Sequence, residues 1–491
     1  MEMRLGKAIV SPRWAAIRDA QHVLLVTAPS AIPDWITNLT ADGFIHSWLQ
    51  GSAGEKYNTA CHLYDAPESE QPFPRFYIVN TQGLFHSIAK TCSRCKGSGQ
   101  LAYTGFVGNV CTQCRGKGKL KAKPTLGGCA ILEYDTIIWD ESTSISNPQA
   151  QITKVAHELA ASPHVLRRMI LTGEIAPERT LDIFEQMRWC YGSFMSHTNF
   201  YEWRNAHFIQ IRYDWEPMPG HLSLIHAALA AHSFRLTRKQ AGIENNPPRF
   251  QRVEVNLPQK VRDPYDYLEE HFRLPPELLH SEAGSYDPLG QALIEANDST
   301  KYKPVVQTWL RQIAGGYPKH WPVLWSDHKI AALLGLLKQL GNQQVPVLFA
   351  FNAEITAVCA RMKNLRMSVE PFVGGTKPEL RRDILRRFQR GTTQYLLMQY
   401  AVMAHGMDLS AANTMVRFSL PWEYKLVSQS KDRLFSPLRE NNLTYIDIVA
   451  KNTVDEDVLS ASLEKRGNSR YFMTRIQQNF SARLRRKVRV A

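Results

Sequence analysis

Two adjacent carboxylates, Asp140 and Glu141, close the apolar run Thr136-Ile-Ile-Trp139 and are followed by Ser142 and Thr143. Such a pair suits nucleotide hydrolysis, with the aspartate organising Mg²⁺ and the glutamate orienting an attacking water. An acidic strand-to-loop turn is the plainer meaning of the same residues. Near the start, Leu5-Gly6-Lys7-Ala8 has the character of the end of a phosphate-binding loop. There a glycine lets the backbone approach closely and the lysine reaches the β- and γ-phosphates. A bare Gly-Lys pair is a weak signal, and the carboxylate pair strengthens it.

The cysteines carry the most specific local pattern. Cys92-Ser-Arg-Cys95-Lys-Gly97-Ser-Gly99 is echoed by Cys111-Thr-Gln-Cys114-Arg-Gly116-Lys-Gly118, with fifteen residues between the two pairs. Two such knuckles match the spacing of a tetrahedral Zn²⁺ site. The glycines let each turn present both sulfurs to one ion. Between Thr91 and Thr125 stand Arg94, Lys96, Arg115, Lys117, Lys119, Lys121 and Lys123 and no acid, with Tyr103 and Phe106 placed to stack on bases. A folded staple with a solvated basic face is the alternative. Cys61, Cys129, Cys190 and Cys359 stand singly and read as core or surface thiols.

Positioning these groups requires ordered elements. Val23-Leu-Leu-Val-Thr, Phe76-Tyr-Ile-Val, Thr136-Ile-Ile-Trp and Met169-Ile-Leu-Thr are short β-prone runs, each followed by small or polar residues. Val345–Phe351, Tyr395–Met398, Thr414–Phe418 and Thr444–Val449 repeat the pattern. Buried strands alternating with amphipathic helices predict an α/β fold with parallel sheets, whose carboxyl edges bind ligands. The expected organisation is a first lobe over 1–250 with the cysteine module inserted at 91–125. A largely helical connection over 251–325, a second lobe over 326–470 and a basic tail over 471–491 follow.

With 59 Lys and Arg against 45 Asp and Glu, the 491-residue chain carries a formal charge of +14, which favours a polyanionic partner such as nucleic acid. The tail contributes Arg475, Arg483, Arg485, Arg486, Lys487 and Arg489 without an acid. Eight cysteines, four of them clustered, exclude a disulfide scaffold and point to a reducing, cytoplasmic setting. No apolar run approaches the ~20 residues of a membrane helix, and the opening residues lack the apolar core of a signal peptide. No membrane partner is expected.

The order of segments resembles Swi/Snf-type superfamily II DNA-dependent ATPases, in a short form like those of phages and bacteria. Met3–Lys7 looks like the end of motif I, Val26-Thr27-Ala28-Pro29 with Trp35 like motif Ia, and Ile78–Thr81 like motif Ib. Asp140–Thr143 is similar to motif II, Leu171-Thr172-Gly173 to the start of motif III, and Leu236–Lys239 to the basic segment after it. Val347–Phe351, His405–Leu409, Gln429–Arg433 and Thr453–Glu456 resemble motifs IV, V, VI and the closing segment.

The resemblance implies two RecA-like lobes with ATP and Mg²⁺ between them and DNA across a shared face. It assigns Gly6, Lys7, Asp140 and Glu141 to the nucleotide, and Gln429 and Gly406 to the cleft. Arg433 becomes the γ-phosphate arginine, while Thr172 and Gly173 couple nucleotide state to DNA. Three positions depart from the pattern: Ala8 replaces a Mg²⁺-binding hydroxyl, Glu174-Ile175 replaces Thr-Pro, and Ser436 replaces a second arginine, with Arg439 out of register. A strand ahead of the phosphate loop does not fit between Met1 and Gly6, so either an upstream start or a reduced nucleotide site is expected. The knuckles themselves resemble the zinc repeat of DnaJ-type chaperones, which serves protein contacts. The expected function is an ATP-driven DNA translocase or helicase in replication, recombination or repair. The alternative is an ATPase-deficient, zinc-dependent DNA-binding scaffold or protein-interaction module.

Overall fold

The computed structural model describes residues 5–29, 31–86, 90–91, 119–120, 125–126, 130, 132–176, 179–211, 214–234, 236, 238, 240–243, 247–271, 303–318, 325–376, 378–403, 407–436 and 442–463. The chain divides into two compact units, the first built mainly from residues 1–176, 180–209 and 217–236 and the second from 237–491.

In the first unit β1 (His22–Thr27), β2 (Ile45–Trp48), β3 (Arg75–Asn80), β8 (Thr136–Asp140) and β9 (Arg167–Leu171) form a sheet in the order β2-β3-β1-β8-β9. Every neighbouring pair is parallel. The central strands are buried on both faces, which is why they read as unbroken apolar runs. Side chains still alternate. Leu24, Val26, Tyr77, Val79, Ile137 and Trp139 pack on one face against helices Ala53–Tyr64, Gln151–Ala160 and Ile183–Tyr191. Val23, Leu25, Phe76, Ile78 and Ile138 pack on the other against helices Lys7–Ile17 and Ile32–Ala41.

Between β3 and β8 four two-residue strands pair antiparallel. β4 (Phe85–His86) pairs with β7 (Thr125–Leu126), and β5 (Lys90–Thr91) with β6 (Lys119–Leu120). The register sets Thr91 opposite Lys119, so the chain leaves and re-enters this ribbon at neighbouring points on either side of the cysteine segment. A hairpin of β10 (Phe208–Ile211) and β11 (Asp214–Pro217) follows.

The second unit holds β12 (Arg249–Val255), β13 (Val345–Phe349), β14 (Val369–Phe372), β15 (Tyr395–Gln399), β16 (Thr414–Arg417) and β17 (Thr444–Ala450), ordered β12-β17-β16-β13-β15-β14. Its neighbouring pairs are likewise parallel. Leu348, Leu396, Met398 and Tyr445 face helices Gln259–His271, Lys303–Gly315, Pro378–Gln389 and Val454–Leu463. Val347, Leu397, Val416 and Ile446 face helices His328–Leu340 and Asn352–Asn364.

The α/β class and the parallel sheets thus agree with the sequence reading. Residues 249–255, mostly assigned to a helical connection, are a strand paired along its full length with β17. Among the described residues no helix is long and apolar enough to cross a membrane.

Candidate functional site

The carboxyl edge of the first sheet collects the expected catalytic groups. Parallel register sets Thr27 beside Asn80 and Asp140 beside Leu171, so the ends of β1, β3, β8 and β9 open on one line. Asp140 is the last residue of β8 and is nearly buried. Its Oδ2 accepts hydrogen bonds from Thr27 Oγ1 at 2.9 Å and Trp35 Nε1 at 3.0 Å, and its Oδ1 accepts from the Glu141 backbone N–H at 3.0 Å. Three donors fix the carboxylate without occupying all its lone pairs, so it retains acceptors for a metal-bound water. Trp35 reaches it from the first turn of the helix that covers this face.

Glu141 leaves the strand at φ 51, a left-handed conformation unusual for a residue with a side chain, and leads into the 3₁₀ turn Ser142–Ile145. That turn points its carboxylate toward Lys7, whose Nζ lies 3.9 Å from Glu141 Oε1. Lys7 begins its helix behind Gly6 at φ 81, which glycine adopts without strain. A helix N-terminus with an adjoining lysine suits anionic phosphate. Ala8 packs against the apolar cluster under the helix and offers no oxygen to a metal.

One link was not foreseen. Ser142 Oγ donates to Gln186 Oε1 at 2.6 Å, and Gln186 Nε2 donates to the carbonyls of Ile175 and Asp182, each at 2.7 Å. Both side chains are fully buried. The turn after Glu141 is thereby tied to the loop that begins at Thr172 and Gly173, where Thr172 Oγ1 donates to Glu174 O at 2.8 Å. The only hint in the sequence is a glutamine among the apolar residues of Ile183-Phe-Glu-Gln-Met-Arg-Trp.

In the second unit Gln429 lies near the end of helix Tyr424–Lys431, mostly buried, and its Oε1 has no hydrogen-bond partner among the described residues. Arg433 follows in the next turn, with Nε donating to Met403 O at 3.1 Å and its own carbonyl accepting from Leu409 N at the same distance. The segments around 409 and 433 are thus joined through backbone. Arg238 Nη2 donates to Asp432 Oδ1 at 2.6 Å, and its guanidinium lies over the Phe435 ring at 3.7 Å. The basic segment after the first lobe therefore pins the turn that carries Arg433.

Gly406 lies outside the described residues, as do Arg439, Cys92, Arg94, Cys95, Lys96, Cys111, Cys114, Arg115, Lys117 and the tail. Lys119 falls in β6. Among the described residues no cluster of His, Cys, Asp or Glu forms a metal site.

Residues 328–436 match the helicase conserved C-terminal domain. This part of the chain is similar to helicase C-terminal domains. It spans β13 to β16 of the second sheet and contains Gln429 and Arg433. The chain is also 23% identical over 327 residues to the SWI/SNF-related matrix-associated actin-dependent regulator of chromatin subfamily A-like protein 1 of Drosophila melanogaster, covering 66% of this chain and 39% of the relative. It is 22% identical over 366 residues to the ATP-dependent helicase brm of the same fly, covering 68% of this chain and 21% of the relative. It therefore spans well under half the length of these relatives. A solved Sulfolobus solfataricus SWI2/SNF2 ATPase core in complex with dsDNA aligns with 94% of this chain and 85% of its own, at 15% identity and a TM-score of 0.35.

Proposed function

We propose that this protein is an ATP-driven DNA translocase or helicase of the Swi/Snf type, acting in replication, recombination or repair inside the cytoplasm. The observation that carries the reading is Lys7, Asp140 and Glu141 gathered at one sheet edge, in a chain whose second unit includes a helicase C-terminal domain.

In this reading Lys7 and the helix behind Gly6 bind the nucleotide's phosphates. Asp140, its carboxylate fixed by Thr27 and Trp35, would hold Mg²⁺, which would polarise the phosphates, and Ala8 would supply no side-chain ligand. Glu141 exchanges its contact with Lys7 for the attacking water, which it orients and deprotonates. Arg433 is the cation that the reading assigns to the γ-phosphate, and Gln429 on the helix before it is assigned to the nucleotide. The link from Ser142 through Gln186 to Ile175 connects that chemistry to the Thr172–Gly173 loop.

Zn²⁺ on Cys92, Cys95, Cys111 and Cys114 completes the reading. The antiparallel pairs on either side support it, because they return residue 119 to residue 91 as a closed zinc hairpin requires. The basic residues of the module, Arg94, Lys96, Arg115, Lys117 and Lys119, then face nucleic acid. A protein partner docked on the same module is the competing use.

A second reading has its own support. Ala8 and Ser436 remove a metal ligand and a cation where an active motor needs them, so an ATPase-deficient DNA-binding scaffold is the alternative. An arginine of this kind is typically worth 10³–10⁵ in rate. DNA-stimulated ATP hydrolysis by the full chain separates the two. The motor reading expects turnover that duplex DNA raises and that Lys7→Ala and Glu141→Gln abolish. Wild-type turnover no higher than that of Glu141→Gln refutes the motor and leaves the scaffold.

A further inference from the structure

Besides the cysteine module and the tail, one stretch of the second unit that the expected site does not use is rich in positive charge. From Lys338 to Gln394 stand ten Lys and Arg against four Asp and Glu, and one of the four, Glu354, is fully buried. Topology gathers much of this charge. Helices His328–Leu340, Asn352–Asn364 and Pro378–Gln389 lead respectively into β13, β14 and β15, which are parallel neighbours. Each helix therefore runs against the strands and ends at their amino edge.

The three helix–strand junctions are laced together there. Gln394 Nε2 donates to Gly341 O at 2.8 Å, Ser368 Oγ to Thr392 O at 3.1 Å, and Gln394 N–H to Ser368 Oγ at 3.3 Å. Around these junctions Lys338, Lys363, Arg366, Arg386 and Arg390 are exposed. Two carboxylates on the same stretch are already engaged. Glu370 takes both Arg387 Nε at 2.8 Å and Nη2 at 2.5 Å, and Asp383 lies 3.5 Å from Arg386.

Cations at helix ends have an ordinary explanation, since each C-terminus carries roughly half a negative charge. The magnitudes decide against it as the whole account. Three helix ends and Asp383 offset roughly two and a half of the five exposed cations, leaving about as much again unbalanced. Arg366 adds an independent sign. It sits at φ 55 just past the helix end, with Met367 N–H donating to Met362 O at 3.0 Å. Glycine fills such a position without strain. Keeping a long cation there costs conformational energy and places a charge at the tip of the turn.

We infer that this amino edge of the second sheet is a separate nucleic-acid contact that takes the phosphate backbone of duplex DNA. It uses none of the residues assigned to nucleotide, zinc or tail, and it holds for a motor and a scaffold alike. The contact is electrostatic and reads no sequence, so its signature is counterion release.

The test measures binding of the full chain to a duplex of arbitrary sequence by anisotropy across a salt series. Arg366→Gly combined with Arg390→Ala removes two cations and relieves the left-handed strain at residue 366, so loss of folding does not confound it. The log–log salt slope should become shallower by about 1.8, at ~0.9 per phosphate. Between 50 and 200 mM salt that makes the salt-induced loss of affinity about twelve-fold smaller than in wild type. Arg366→Lys with Arg390→Lys should keep the wild-type slope. Arg18→Ala with Lys154→Ala makes the same change in net charge on exposed cations of the first unit. A slope unchanged by the test pair, a change no larger than that of the control pair, or no duplex binding by the wild type overturns the inference. ATP hydrolysis enters none of these outcomes, so failure of the motor reading leaves the result intact.

Discussion

Ser142→Ala is a small change with a large expected effect, because Gln186 has nowhere else to turn. The glutamine is fully buried, its Nε2 is already committed to Ile175 O and Asp182 O, and its Oε1 accepts from the Ser142 hydroxyl at 2.6 Å. Deleting that hydroxyl leaves a buried acceptor unsatisfied, at a cost of about 1–3 kcal/mol. For a unit of this size about 2 kcal/mol lowers the melting temperature by roughly 4–8 °C. Gln186→Leu should cost more, since it strands the Ser142 hydroxyl and two carbonyls together. The double variant should cost less than the sum, by about 0.5–3 kcal/mol, because the two groups satisfy each other. Thermal unfolding gives the energies. Hydrogen exchange over residues 141–145 and 171–176 shows whether the two segments loosen together. A Ser142→Ala protein that melts within about 1 °C of wild type, with exchange unchanged in both segments, refutes the link.

Two further expectations concern other parts of the molecule. Metal analysis should return one zinc per chain, lost on Cys92→Ser; substantially less zinc in wild type removes the module's metal. Burial raises the Glu354 carboxyl from 4.5 to about 7, against the opposing pull of Lys329 and the Ser419 hydroxyl. The folded protein therefore holds a proton there that the unfolded chain releases above its ordinary carboxylate range, so stability falls as pH rises from about 5 to 7. Glu354→Gln should flatten that part of the stability profile, and an unaltered profile in Glu354→Gln shows that another group sets it.

Seven of the eight strands legible in the sequence lie inside a sheet, covered on both faces and mostly apolar, and the eighth, β9, is an edge that is still apolar at Met169-Ile-Leu. Those missed include Ile45–Trp48, Arg249–Val255 and Val369–Phe372, which form three of the four sheet edges. Arg249-Phe-Gln-Arg-Val-Glu-Val leaves most of its side chains exposed, so its composition carries no burial signal. Val369-Glu-Pro-Phe contains a proline, which normally argues against a strand, but an edge has a free side on which the missing N–H costs nothing. The site divides in the same way. Lys7, Asp140 and Glu141 could be found because their chemistry demands particular residue types next to particular elements. Gln186 could not, because its partners are one hydroxyl 44 positions away and two backbone carbonyls, and a carbonyl leaves no mark on composition.

Ala8 connects the departures in sequence to the geometry. In a phosphate loop with a hydroxyl at this position, one side chain binds metal directly and the strand-end aspartate acts through water. Here the methyl group of Ala8 joins Trp14, Ala31 and Ile36 around the apolar cluster of Ile32, Trp35 and Leu39, so the helix start is fastened by packing. The same helix Ile32–Ala41 sends Trp35 Nε1 to Asp140 Oδ2. The aspartate is thereby held by Thr27 and Trp35, donors of the protein's own. A carboxylate fixed in this way loses less order when Mg²⁺ is absent and gains less when it binds. The loss of one metal ligand and the added support for the other therefore act in the same direction, toward a site whose geometry depends little on the ion. In the motor reading that suits slow turnover, and it makes Ser436, whose hydroxyl carries no charge, the position where a motor and a scaffold differ most.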